Sequence, residues 1–132
     1  MQDWITTLTD ASTSGVHDQR GDIDCTRLRE VAGAHGLEFV VIDLAPVTDK
    51  EGLLSEMSQA LEFPSFFGMN WDALSDSLTD LSWKPAAGYV IVFAGFPLFL
   101  ERAPAAADMA LNVLRDAAGY WRGKGVPFHA VL

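Results

Sequence analysis

The chain is nearly devoid of cysteine: Cys25 stands alone among 132 residues. No intrachain disulfide is available to it, and a reducing, cytoplasmic home is expected. Long apolar runs are missing too. Nothing approaches the roughly 20 residues that span a bilayer, so no membrane partner is expected. The opening MQDWITTLTD has no basic segment followed by an apolar one, so a secretory signal is not expected. There is no glycine-rich phosphate loop, because GKG follows a helical stretch instead of opening one. His17, His35 and His129 lack metal-ligand spacing and read as ordinary residues, and Cys25, with no His or Lys beside it, reads as a small buried one. No cofactor, no metal and no catalytic residue is therefore expected, and an enzyme is the weakest reading.

Positive charge is scarce in one place above all. Residues 1 to 50 carry nine acids and four bases, and residues 84 to 132 carry three acids and five bases. Between them, residues 51 to 83 carry six acids and no Lys, Arg or His. The formal net charge of −9 is thus concentrated. Phosphates would be repelled, which argues against nucleic acid as a direct partner. A basic protein, steered in by the acidic field, fits better.

Hydrophobic patterning gives the organisation. FVVIDL (39–44), GYVIVF (88–93) and VPFHAVL (126–132) are short continuous apolar runs, read as buried strands. A weaker strand lies near SGVHDQ (14–19), and residues 1–13 read as a loose tail or a short helix. CTRLREVAGAHG has Leu28, Val31 and Ala32 at helical spacing. Thr48 and Glu51 have capping-box spacing ahead of a stripe of Leu53, Leu54, Met57, Ala60 and Leu61. Pro97 opens a short helix, and Pro104 to Arg122 reads as the longest one. Buried strands separated by helices imply an α/β fold in three layers: a small, mostly parallel sheet covered by helices. Three strands are expected, with a fourth open to the N-terminal segment. The weaker strand and the Leu28 helix are expected to form a leading βα unit.

Function is carried by FPSFFGMNWDALSDSLTDL, residues 63–81. On a helix over 71–81, Leu74, Ser77, Leu78 and Leu81 face one way; Asp72, Ser75, Asp76, Thr79 and Asp80 face the other. Asn70 is a good N-cap, and Asp72 in the first turn suits the helix dipole. Asp76 and Asp80 have no such structural reason. Like charges at i,i+4 repel, and an ordinary solvated face would interleave lysine. Carboxylates in this array can imitate phosphates for a partner that binds phosphate with Arg, Lys or His. Phe66 and Phe67 are candidate anchors, one of them core, and Gly68 permits a tight turn or close backbone approach.

These residues resemble the signature of the barstar family, intracellular inhibitors of secreted microbial ribonucleases. The likeness is a proline, two aromatics, Gly, any residue, Asn, an apolar residue, Asp-Ala-Leu, and a second Asp four positions on. It extends over about residues 38–132 and implies one barstar-like domain there, with 1–37 an N-terminal extension packed on it as a βα unit. The resemblance implies a barstar-like fold with a three-stranded parallel sheet. It implies a one-to-one inhibitor of a basic, guanyl-preferring ribonuclease, with a contact surface of Phe66, Phe67, Gly68, Asn70, Trp71, Asp72, Ser75, Asp76, Thr79 and Asp116. Asp76 matches the carboxylate that occupies the nuclease's phosphate site. The chain departs from the family's prototype at Phe66 and Phe67 (tyrosines there), Ser75 (a tryptophan) and Met69 (an acidic loop residue), which implies a different cognate nuclease. An immunity or regulatory module of the same fold, acting on another basic toxin, is the competing expectation.

Overall fold

The computed structural model describes residues 4–18, 23–65 and 67–132. In chain order the elements are α1 (Trp4–Thr9), a 3-10 turn (Ala11–Thr13), β1 (Gly15–His17), α2 (Cys25–Ala34), β2 (Leu37–Asp43) and α3 (Lys50–Ala60). Then come α4 (Trp71–Leu78), β3 (Gly88–Ala94), α5 (Phe96–Arg102), α6 (Pro104–Gly123) and β4 (Phe128–Val131). The described strands form a four-stranded sheet in the order β1-β4-β3-β2, and every pairing is parallel.

Alternation along the strands sorts side chains to two faces, because successive residues point to opposite sides. Val40 and Ile42 of β2, Tyr89, Ile91 and Phe93 of β3, and Phe128 and Ala130 of β4 point into the larger core, which α3, α4, α5 and α6 close. Val90, Val92 and Val131 point the other way and meet Leu8 of α1 and Leu28, Val31 and Ala32 of α2. The result is three layers. Both faces are covered, and so β3 reads as an unbroken apolar run.

The sheet centre is tight at Gly88, where a Cβ would lie 2.8 Å from Leu37 Cδ2 and 2.8 Å from the Pro127 carbonyl oxygen. Only glycine lets β2 and the loop before β4 approach this closely. The N-terminal residues supply the fourth strand. β1 pairs with β4, Ser14 Oγ accepts from Phe128 N at 2.9 Å, and the Arg122 guanidinium donates to the Ser14 carbonyl at 2.6 Å.

Three local expectations are corrected. The N-cap of α3 is Asp49, whose carboxylate accepts from Gly52 N at 2.8 Å, so the Thr48/Glu51 capping box does not form. An aspartate is as good an N-cap as a threonine, and the helix starts one residue later with glycine at the third helical position. Cys25 opens α2 and is only half-buried. α4 ends at Leu78, and Leu81 reaches the core from a left-handed backbone (φ 53°) instead of from a continued helix. Among the described residues no helix is long and apolar enough to cross a membrane.

Candidate protein-binding surface

The surface is built from the loop before α4, from α4 itself, and from the neighbouring α6. Asn70 organises the entry. Its Oδ1 accepts from Ala73 N at 2.7 Å, capping the helix, while its Nδ2 donates to the Gly68 carbonyl at 3.1 Å. One side chain therefore ties loop to helix. Gly68 serves close approach, since a Cβ there would lie 3.2 Å from Asn70 Nδ2. The left-handed residue in the turn is Met69 (φ 50°), not the glycine, and its side chain is 42% exposed at the loop tip. A non-glycine residue in that region costs on the order of 1 kcal/mol, which the Asn70 bonds offset.

Leu74 and Leu78 anchor α4 in the large core and leave the opposite face in water. Its far end is held from α6. The Trp121 indole N–H donates to the Leu78 carbonyl at 2.7 Å, and the Thr79 hydroxyl donates to the Ser75 carbonyl at 2.9 Å. The Leu78 carbonyl ends the last turn, where backbone acceptors lack helical partners, whereas the Ser75 carbonyl also accepts from Thr79 N at 3.1 Å.

On the free face Asp72 and Asp76 are exposed, with Ser75 and Thr79 half-buried between them. Asp80 is exposed as well, but it follows the helix end and is not a third rung of the same ladder. None of the three carboxylates has an ion pair among the described residues. Two of the lysines are engaged elsewhere. Lys84 pairs with Glu38 at 3.2 Å and with Glu62 at 3.6 Å. Burial works to lower its pKa, but the two carboxylates outweigh this and hold the ammonium above its usual value. Lys50 lies 5.9 Å from the Trp71 ring centroid, a cation–π contact. Sequence order hid this contact, because Lys50 stands 21 positions before Trp71.

The aromatic candidates divide. Phe67 is half-buried and packs on Phe63 at 4.8 Å, which in turn meets Trp83 edge-on at 5.9 Å. Phe67 is thus largely a satellite of the core. Phe66 lies outside the described residues. Trp71 is half-buried at the start of α4, at the boundary between the core-facing and solvent faces. Asp116 is exposed on α6, the helix that packs on α4. The structure thus brings Phe67, Gly68, Asn70, Trp71, Asp72, Ser75, Asp76 and Thr79 into one continuous loop and helix, with Asp116 on the adjacent helix. What this arrangement can do is present carboxylates free of ion pairs among the described residues, on a helix capped at its start and bonded to α6 at its end.

Residues 37–132 match the family model described as Barstar (barnase inhibitor). The match covers well over half of the chain and starts at the first residue of β2. No curated protein matches the chain.

Proposed function

The chain belongs to the barstar family, and from that premise we propose that it blocks a basic, guanyl-preferring microbial ribonuclease by placing the 67–70 loop and α4 in its active-site cleft. The observation that carries this reading is the exposed pair Asp72 and Asp76, mounted on a capped and clamped helix, neither in an ion pair among the described residues. Asp76 takes the position of the scissile phosphate and pairs with the cationic groups that would hold it. Asp72 and Asp116 neutralise flanking bases. The protein acts as an inhibitor, one to one, in the cytoplasm of a cell that secretes the nuclease, and it is not an enzyme.

Rigidity matters to this mechanism. A carboxylate buried at an interface is costly unless it meets its partner with good geometry, so a mount that cannot shift favours the correct nuclease over others. Ser75 is small, and Phe67 has no hydroxyl to offer, so shape and charge do the recognising.

The test is Asp76→Ala, read as an inhibition constant against a purified guanyl-preferring secreted ribonuclease. A loss of at least about 2 kcal/mol, roughly thirty-fold, is expected if Asp76 is a hot spot. Folding stability should hold or rise slightly, because the repulsion from Asp72 is relieved. An unchanged inhibition constant at moderate salt overturns the assignment.

A further inference from the structure

The N-terminal segment preceding the matched region meets the sheet at an unusual joint. β1 is three residues long and, among the described strands, pairs only with β4, in the register Gly15↔His129, Val16↔Ala130 and His17↔Val131. On the outward face of that joint two imidazoles meet. His17 Nε2 and His129 Nδ1 are 2.9 Å apart, the ring centroids are 5.1 Å apart at 29°, and Trp4 of α1 packs edge-on to His17 at 6.1 Å. His129 is wholly buried, and its Nε2 has no hydrogen-bond partner among the described residues.

From this geometry we propose that α1, β1 and α2 form a cover over the second face of the sheet that acid releases, with the His17–His129 pair as its latch.

The chemistry follows from counting hydrogens. At 2.9 Å one ring's N–H donates to the other ring's bare nitrogen, so the contact needs at least one neutral imidazole. If both rings carry two N–H groups, the bond becomes an opposition of two hydrogens, and two positive charges share a buried site.

The surroundings do little to relieve that. The Leu8 carbonyl and the Asp10 carboxylate favour a charged His129. Asp10, however, already accepts from Ser12 N at 2.8 Å and from Ser12 Oγ at 2.7 Å, and these bonds hold its own pKa below the usual value. The Arg122 guanidinium on the Ser14 carbonyl adds like charge near the foot of β1. Asp18 follows His17 in the chain and has interactions of its own. The apolar cluster on this face from α2 and the sheet is Leu28, Val31, Ala32, Cys25, Phe39, Val90, Val92 and Val131, and the charge that α2 adds beside it, Arg29 at 5.1 Å from the Phe39 ring centroid, is again positive.

Burial first, and then the charge of His17, hold the docked His129 at a pKa of about 4, and burial also lowers that of His17. Released, both rings regain water and their ordinary basicity. Protons therefore select the open form. The larger core, which carries α4, does not depend on the latch: none of the cover's residues belongs to it except Val16 at its margin.

Hydrogen exchange of the intact chain between pH 7.5 and pH 4 tests this, with each amide corrected for its intrinsic rate. Protection in α1, β1 and α2 should fall roughly thirty-fold by pH 5, from His129 alone. Amides of β3 and α6 should stay at least about 100-fold better protected than those of α2 throughout, as expected of two separately opening units. His17→Phe with His129→Leu should remove the pH step. Imidazole NMR on the unaltered chain gives an independent reading, in which both rings titrate together with loss of the cover. Any of three results overturns the proposal: all elements losing protection as one unit, no loss by pH 4, or either ring titrating near pH 6.5 while the cover stays closed.

Discussion

Trp121→Phe isolates the clamp between α6 and the end of α4. Phenylalanine keeps a ring where Trp121 meets Tyr89 at 5.7 Å, but it cannot donate to the Leu78 carbonyl. The lost hydrogen bond costs about 1 kcal/mol net, and the smaller ring forfeits about another 1 kcal/mol of apolar burial. The sum, about 2 kcal/mol, should be read from urea melts at unchanged m-value. For a chain of this size, an unfolding entropy of about 2.1 cal/mol/K per residue makes the fall in melting temperature about 7 °C. Tyr120→Phe is the control: Tyr120 is 43% exposed, and its variant should melt within about 1 °C of the parent. Under the proposed function, Trp121→Phe should also weaken inhibition by several-fold, because Asp76 sits in the turn whose end is released, but by less than Asp76→Ala. A stability change below about 0.5 kcal/mol would refute the claim that this bond holds the helix end.

Asn70→Ala removes a cap and a loop tie together, so it should cost about 1 to 2 kcal/mol in chemical denaturation and loosen the loop at Met69. Gly88→Ala forces a methyl against Leu37 and the Pro127 carbonyl, and it should cost about 3 kcal/mol or prevent folding, read as a lost soluble fraction or a lowered urea midpoint. Whole-molecule stability should be fully present above pH 6.5 and lost as pH falls from 6.5 toward about 4, because folding depresses the His129 pKa and the unfolded chain then binds the extra proton. The loss from His129 alone is about 3 kcal/mol, checked by urea midpoints across that range, and it should vanish in a chain lacking both His17 and His129. Added salt should slow association with the nuclease more than it speeds dissociation, if the acidic face steers the encounter.

Much of the fold was legible because continuous apolar runs and helical stripes are local signals. β2, β3 and β4 fall on FVVIDL, GYVIVF and VPFHAVL within one or two residues, and α6 spans its expected stretch with one residue more. The acidic face of α4 was equally legible, since Asn70, Asp72 and Asp76 lie within one short segment. What escaped was decided elsewhere in the chain or by subtle competition. Apolar spacing runs on through Leu81, but a turn with the Lys84 N–H on the Leu81 carbonyl buries that leucine without further helix. Asp49 outcompeted Thr48 as a cap, a choice that spacing alone does not resolve. The Trp121–Leu78 bond, the Lys50–Trp71 contact and the His17–His129 pair join residues far apart in sequence, and no periodicity announces them.

The parallel pairing of β1 with β4 constrains how the protein can be made. His17 and His129 are 112 positions apart, and Arg122 closes on Ser14 across 108. During synthesis β1 emerges well before β4, so it lacks its strand partner until that later strand has followed it out of the ribosome. Leu8, Leu28 and Val31, which share a cluster with Val90, Val92 and Val131, complete their burial only when that strand arrives.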